Sequence, residues 1–124
     1  MRNNNFMVRV KTHYVQEQSE PDKKRYVFSY TITIENNGER HAQLLRRKWL
    51  VTDANGKKLV IEGEGVVGEQ PLIESGDAYT YTSGTILETP VGVMQGHYTM
   101  IDVEEQEFDI EISPFRLALP NILH

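Results

Sequence analysis

The sequence predicts an all-β fold: a two-sheet antiparallel β-sandwich of about seven strands, fibronectin type III or immunoglobulin-like, as one domain over residues 1–124. Three observations predict it. Apolar and polar residues alternate with a period of two over most of the chain, while helical periodicity is nearly absent. Turn-forming clusters separate the alternating runs. The length of 124 residues is enough for one continuous core and too little for two. The chain has no cysteine, so the Cys…Trp…Cys pattern of immunoglobulin domains is missing and the fibronectin type III variant fits better.

The first run places Phe6, Val8, Val10 and Tyr14 on one face and Arg9, Lys11 and His13 on the other. Ser19-Glu20-Pro21-Asp22-Lys23-Lys24 reads as the following hairpin loop. The run Tyr26 to Asn36 carries the strongest strand signal, with Phe28, Tyr30, Ile32 and Ile34 opposite Ser29, Thr31, Thr33 and Glu35. Further strands are expected at Ala78–Ser83, Gln95–Val103 and Glu107–Ser113, the last with Phe108, Ile110 and Ile112 inward. The apolar tail from Phe115 to His124 is expected to pack on the domain or on a second copy of it.

Between these runs, Asn55-Gly56 predicts a two-residue type I′ hairpin turn, because both positions of that turn need positive φ. The register would set Asp53 against Lys58, Thr52 against Leu59, Val51 against Val60 and Leu50 against Ile61. Trp49, Val51 and Val60 would then share one face, and Leu50, Leu59 and Ile61 the other. A sandwich strand buries one face only. The second apolar strip is therefore either covered by loops or the tail, or offered to a protein partner.

Composition narrows the function classes. A net charge of −5 argues against nucleic acid, whose phosphates demand a cationic stripe; Arg46-Arg47-Lys48 is the only dense basic run, and alternation puts at most two of its charges on one surface. Without cysteine there are no disulfides, thiolate zinc sites or cysteine nucleophiles, which fits a reducing, cytoplasmic setting. Met1-Arg2-Asn3-Asn4-Asn5 leads into strand without an apolar signal region, and no apolar run is long enough for a membrane helix.

Residues Gly63-Glu64-Gly65-Val66-Val67-Gly68-Glu69-Gln70-Pro71 contain a G-x-G-x-x-G spacing. A dinucleotide fingerprint needs strand, glycine turn and helix in that order, because the helix N-terminus holds the pyrophosphate. After Gly68 the chain reaches Pro71 and then Gly76-Asp77 without room for such a helix, and Glu62, Glu64 and Glu69 would repel an anion. The glycines are expected instead to shape a bulged, tightly turning connection from one sheet to the other.

The same segment, continued by Leu72 to Thr85 and by Thr89-Pro90-Val91-Gly92-Val93-Met94-Gln95-Gly96-His97-Tyr98, resembles the bacterial ApaG family. So do Tyr26–Asn36, Arg46–Asp53 and Pro114–Pro120; the likeness covers nearly the whole chain except the N-terminal residues. The resemblance implies a fibronectin type III-like sandwich, an association with cobalt resistance and magnesium efflux, and a protein-binding role. It implies no catalytic residues.

Residue chemistry adds few alternatives. Carboxylates that could meet a hard cation are Glu62, Glu64 and Glu69, or Asp102, Glu104, Glu105 and Glu107, but neither set has EF-hand spacing. His13, His41, His97 and His124 are scattered singly, where a cobalt site would favour paired imidazoles. Ser83-Gly84 lacks a nucleophile elbow. Tyr79, Tyr81 and Tyr98 would serve as core or sheet-surface aromatics before ligand platforms. The expectation is thus a non-enzymatic binding module without cofactor or metal, able to homodimerise, with contact candidates Trp49, Glu64, Gly65, Val66, Val67, Gly68 and Glu69. Val66 and Val67 either enter a partner's groove or pin the loop to the core. The alternative is a small-ligand or divalent-cation binder using loop 63–71.

Overall fold

A computed structural model describes residues 5–120. Eight strands are present among the described residues: β1 (Phe6–Tyr14), β2 (Tyr26–Asn36), β3 (Ala42–Asp53), β4 (Lys58–Glu64), β5 (Leu72–Ile73), β6 (Ala78–Leu87), β7 (Val91–Asp102) and β8 (Glu107–Ala118). They form two antiparallel sheets, one ordered β1-β2-β6 and the other β4-β3-β7-β8, with β5 continuing along the β3 edge beyond β4. This is the expected fibronectin type III-like sandwich. The short β5 is the strand that alternation alone does not reveal, since two residues carry no period.

The core lies between the inner faces. Phe28, Tyr30, Ile32 and Ile34 of β2 meet Trp49 and Val51 of β3, Met94, Tyr98 and Met100 of β7, and Ile110, Ile112 and Leu117 of β8. Burying each large apolar side chain contributes about 1.5–3 kcal/mol. At one lateral side, β1 and β8 close the sandwich through Phe6 and Phe108, whose ring centroids lie 5.9 Å apart. The other lateral side is bounded by the edges of β4 and β6.

Two bulges keep the inner faces continuous. Leu45 is an extra residue on β3, where the pairing with β7 passes from Leu44↔Met100 to Arg46↔Thr99. Ser113 and Pro114 of β8 lie opposite the single residue Gln95, so the proline, which has no N–H to give the ladder, falls in an irregular stretch of an edge strand. Strand β8 runs on past this bulge. Within the tail, Phe115 to Ala118 is therefore strand, with Leu117 buried in the core; residues 121–124 lie outside the described residues.

Two expectations need correction. The β3–β4 turn is one residue longer than predicted: Thr52 faces Lys58, Val51 faces Leu59, Leu50 faces Val60 and Trp49 faces Ile61. Asp53 is the cause. Its Oδ1 accepts from the Asn55 and Lys57 N–H groups, each at 2.9 Å, while Gly56 N donates to Asp53 O and takes φ +84°. That is a three-residue loop ending in a left-handed glycine bulge. The slip moves every β4 side chain to the opposite face, so Ile61 and Leu59 share the face of Trp49, and the outward apolar strip reduces to Leu50 and Val60. The second correction concerns the glycine loop, which does not cross between sheets. It joins β4 to β5 within one sheet, because Ala42 pairs with Ile73 and draws the chain back to β3; the crossing to β6 comes at residues 74–77.

Candidate functional site

The Leu45 bulge changes what the basic run Arg46-Arg47-Lys48 presents. Arg46 and Lys48 project outward, while Arg47 has the inward parity of Trp49 and pairs with Gly63 of β4 and Tyr98 of β7. A Cβ on Gly63 would stand 2.7 Å from Arg47 Nη1, so the glycine is the space in which the guanidinium lies. From there Arg47 Nη1 donates to the carbonyls of Gly65, at 2.9 Å, and Glu64, at 3.3 Å.

The bulge also frees the Leu45 carbonyl from the ladder. It accepts from Gly65 N at 2.8 Å and from Gln70 Nε2 at 3.0 Å, binding both ends of the loop to β3. Gln43 Nε2 donates to Gln70 O, and Leu44 N to Pro71 O. Between these anchors, Val66 and Glu69 exchange both backbone hydrogen bonds across a type I′ turn, with Val67 at φ 41° and Gly68 at φ 83°. Gly65 has φ 65°, and a Cβ there would lie 2.2 Å from Glu69 O.

This geometry settles what the glycine spacing does. The chain after Gly68 runs into β5, with no helix, and the N–H groups of Gly65, Val66 and Glu69 are spent on Leu45, Glu69 and Val66 carbonyls. They do not converge outward as a phosphate cradle would require.

The two valines divide the roles expected of them. Val66 is 0% exposed and belongs to the core, so it pins the loop. Val67 is 55% exposed at the tip. Trp49 is 1% exposed, which removes it from the contact candidates: a side chain enclosed by Tyr30, Tyr98 and Phe115 cannot touch a partner. Its indole Nε1 has no hydrogen-bond partner among the described residues. Gly65 is likewise walled in by Glu69 and Gln70. Glu64 and Glu69 remain at the surface beside Val67 and Gly68.

Beneath the loop the inner face carries buried tyrosines. Tyr81 of β6 and Tyr98 of β7 bring their hydroxyls to 2.5 Å, linking the two sheets. Burial pushes both phenols well above the usual range, with Tyr30 raised for the same reason. These are structural aromatics, as the residue types imply.

The candidate carboxylates are dispersed. Glu62 and Glu64 stand on the outer face opposite Lys48 and Arg46. Asp102 Oδ1 accepts from Glu104 N and Gln106 N within its own turn, Glu104 pairs with Arg40 at 3.2 Å, and Glu107 pairs with Arg46 at 2.7 Å. Among the described residues no three His, Asp or Glu side chains form a metal-holding group. An open groove of about 730 Å³ at the Phe6–Phe108 end is lined by Asn36, Arg40, His41 and Asp102 among others. Buried Asn36 has its amide fully engaged with Arg40 O, Ile73 O and Gly38 N.

Sequence reading misses Arg47, the Leu45 carbonyl, Gln70 and Asn36. A glycine opposite an arginine was the one available signal, and it needs the correct register to be seen.

Comparison with known proteins decides the family. The ApaG domain model matches residues 16–102. Protein ApaG of Photobacterium profundum is 69% identical over 115 residues, covering 93% of this chain and 91% of the relative. The chain belongs to the ApaG family. Protein ApaG of Vibrio vulnificus is 60% identical over 119 residues, covering 96% and 94%. Among solved structures, the Bordetella pertussis protein named ApaA superposes with a TM-score of 0.91 at 41% identity, covering 94% of each chain. A structural-genomics X-ray structure gives a TM-score of 0.93 at 52% identity, covering 98% of this chain and 92% of that one. In this ApaG domain no helix among the described residues is long and apolar enough to cross a membrane.

Proposed function

We propose that this ApaG chain is a non-enzymatic binding module that engages a protein partner through the tip of loop 63–71, with Val67 as the apolar contact and Glu64 and Glu69 as its polar rim. One observation carries the reading. Val67 is β-branched yet held at φ 41° and left exposed. Left-handed backbone costs an L-residue about 1–2 kcal/mol, and no burial offsets that here. Glycine or asparagine would occupy the position with less strain, so folding alone gives no reason for valine; contact with another molecule does. The anchors from Arg47, Leu45 and Gln70 pre-order the tip, which lowers the entropy lost on binding.

The family resemblance associates the module with cobalt resistance and magnesium efflux, so the partner expected is a protein of divalent-cation handling. The setting consistent with this role is cytoplasmic. The test is affinity capture from native lysate by wild type and Val67→Asn, with and without cobalt and magnesium. Val67→Asn should keep or raise the melting temperature and retain the partner about tenfold less. Equal retention by both proteins would refute the tip as the contact. Glu64→Gln with Glu69→Gln is the companion variant: loss of a cobalt-dependent rise in melting temperature would favour direct cation binding instead.

A further inference from the structure

We infer that β6 is a pairing edge for a second copy of this chain, joining two three-stranded sheets across a two-fold axis. Strand β6 is ten residues long, pairs among the described residues with β2 on one side only, and reads Ala78-Tyr79-Thr80-Tyr81-Thr82-Ser83-Gly84-Thr85-Ile86-Leu87. It contains no charged residue and no proline. Native edges are usually blunted by charge, proline or cover, because their unpaired N–H and C=O groups template further strands.

The other edges carry those defences. Strand β1 holds Arg9, Lys11 and His13, and antiparallel self-pairing about Val10 would oppose Arg9 to Lys11. Strand β8 holds Glu107, Asp109 and Glu111, and contains Pro114. These two edges also flank each other through Phe6 and Phe108. Strand β4 carries Lys58, Glu62 and Glu64. Charge thus disfavours self-association at β1 and β8 and permits it at β6, where each residue meets an uncharged mate.

A two-fold axis normal to the sheet matches residues on the same face, so the sum of paired numbers is even. Centring on Thr82 pairs Thr82 with its mate, Tyr81 with Ser83, Thr80 with Gly84, Tyr79 with Thr85 and Ala78 with Ile86. On the outer face this extends the hydroxyl ladder in which Thr31 meets Thr82 at 2.8 Å and Thr33 meets Thr80 at 3.0 Å. On the same lateral side Leu59 of β4 is 54% exposed and adds apolar area. The partner is a second copy because only self-complementary neutrality, without a charge pattern for a different chain, is present along this edge. Each copy carries −5, so salt should strengthen pairing by screening the repulsion.

The test is sedimentation of the full chain from about 1 μM to about 1 mM, with single-cysteine cross-linking made unambiguous by the absence of native cysteine. Wild type should approach twice 14.3 kDa as concentration rises. Thr82→Lys should remain at the single-chain mass, and an equimolar mixture of Thr82→Lys with Thr82→Glu should regain the double mass. Mates at directly opposed positions bring Cβ atoms to about 4.5–5.5 Å, so Thr82→Cys should cross-link under mild oxidation at least tenfold faster than Thr33→Cys on the interior strand. The inference is overturned if wild type stays at the single-chain mass throughout, if Thr82→Lys still pairs, or if the two cysteine variants cross-link alike. Loss of a different protein from Thr82→Lys, with wild type monomeric, would assign the edge to a foreign strand.

Discussion

The Tyr81 and Tyr98 hydroxyls, one from each sheet, lie 2.5 Å apart inside the sandwich. Each is the other's side-chain hydrogen-bond partner, so they gain or lose together. Tyr98→Phe should lower the unfolding free energy by about 1–3 kcal/mol, because it leaves the buried Tyr81 hydroxyl unpaired. The double variant Tyr81→Phe with Tyr98→Phe should recover most of that loss. Urea titration of the four proteins checks both; strict additivity would show that the pair does not act as a unit.

Alkaline pH should destabilise the protein because these phenols are buried. Burial raises Tyr30, Tyr81 and Tyr98 above the ordinary value of 10.0. Above that pH the unfolded chain releases phenolic protons that the native state retains, so stability present below about pH 10 is lost as pH rises. The slope should approach about 1.4 kcal/mol per pH unit for each such tyrosine. Removing two of the three with the double Phe variant should flatten it accordingly; an unchanged slope in denaturation at pH 9 to 11.5 would contradict the assignment.

Gly65 and Gly68 both have positive φ but should not behave alike. Gly65→Ala adds a Cβ that meets Glu69 O at 2.2 Å, whereas Gly68→Ala meets nothing within 4 Å. The second should cost about 1 kcal/mol from backbone conformation alone, and the first several times more, with the Val66–Glu69 turn displaced. Comparative thermal melts distinguish them, and equal losses would mean the steric wall is soft.

Arg47 is expected to act as a clamp on the loop. Arg47→Lys keeps the charge but not the planar fork that fits over Gly63 and reaches two carbonyls. Amide exchange at Gly65 and Val66 should quicken about tenfold in Arg47→Lys, with little change at Ile32 in the opposite sheet. A uniform change across both sheets would point to general destabilisation instead.

Much of the sandwich was legible because period-two alternation survives wherever one face is buried, as in Phe28 to Ile34. What escaped was decided by single residues acting on the backbone. Asp53 lengthened the hairpin by bonding two amides, and that reversed the facing of Leu59, Val60 and Ile61. Leu45 shifted the parity of β3 relative to Ala42 and Leu44, and that turned Arg47 inward. The absence of a helix after Gly68 was readable from length and Pro71. The destination of the loop was not, because a two-residue strand leaves no pattern. Of the contact candidates, Trp49 and Val66 went to the core because their strand parity and loop anchors place them there.

The Leu45 bulge has an evolutionary corollary. Side chains before it and after it reach the same interior by opposite counting, so a one-codon deletion at Leu45 would straighten the strand with Leu44 and Arg47 both still facing inward, at the cost of the free carbonyl that holds Gly65 and Gln70. When descendants of this gene are compared, a single-residue gap within β3 should accordingly fall at Leu45 before any other position, and should come with altered letters in the loop that its carbonyl anchors.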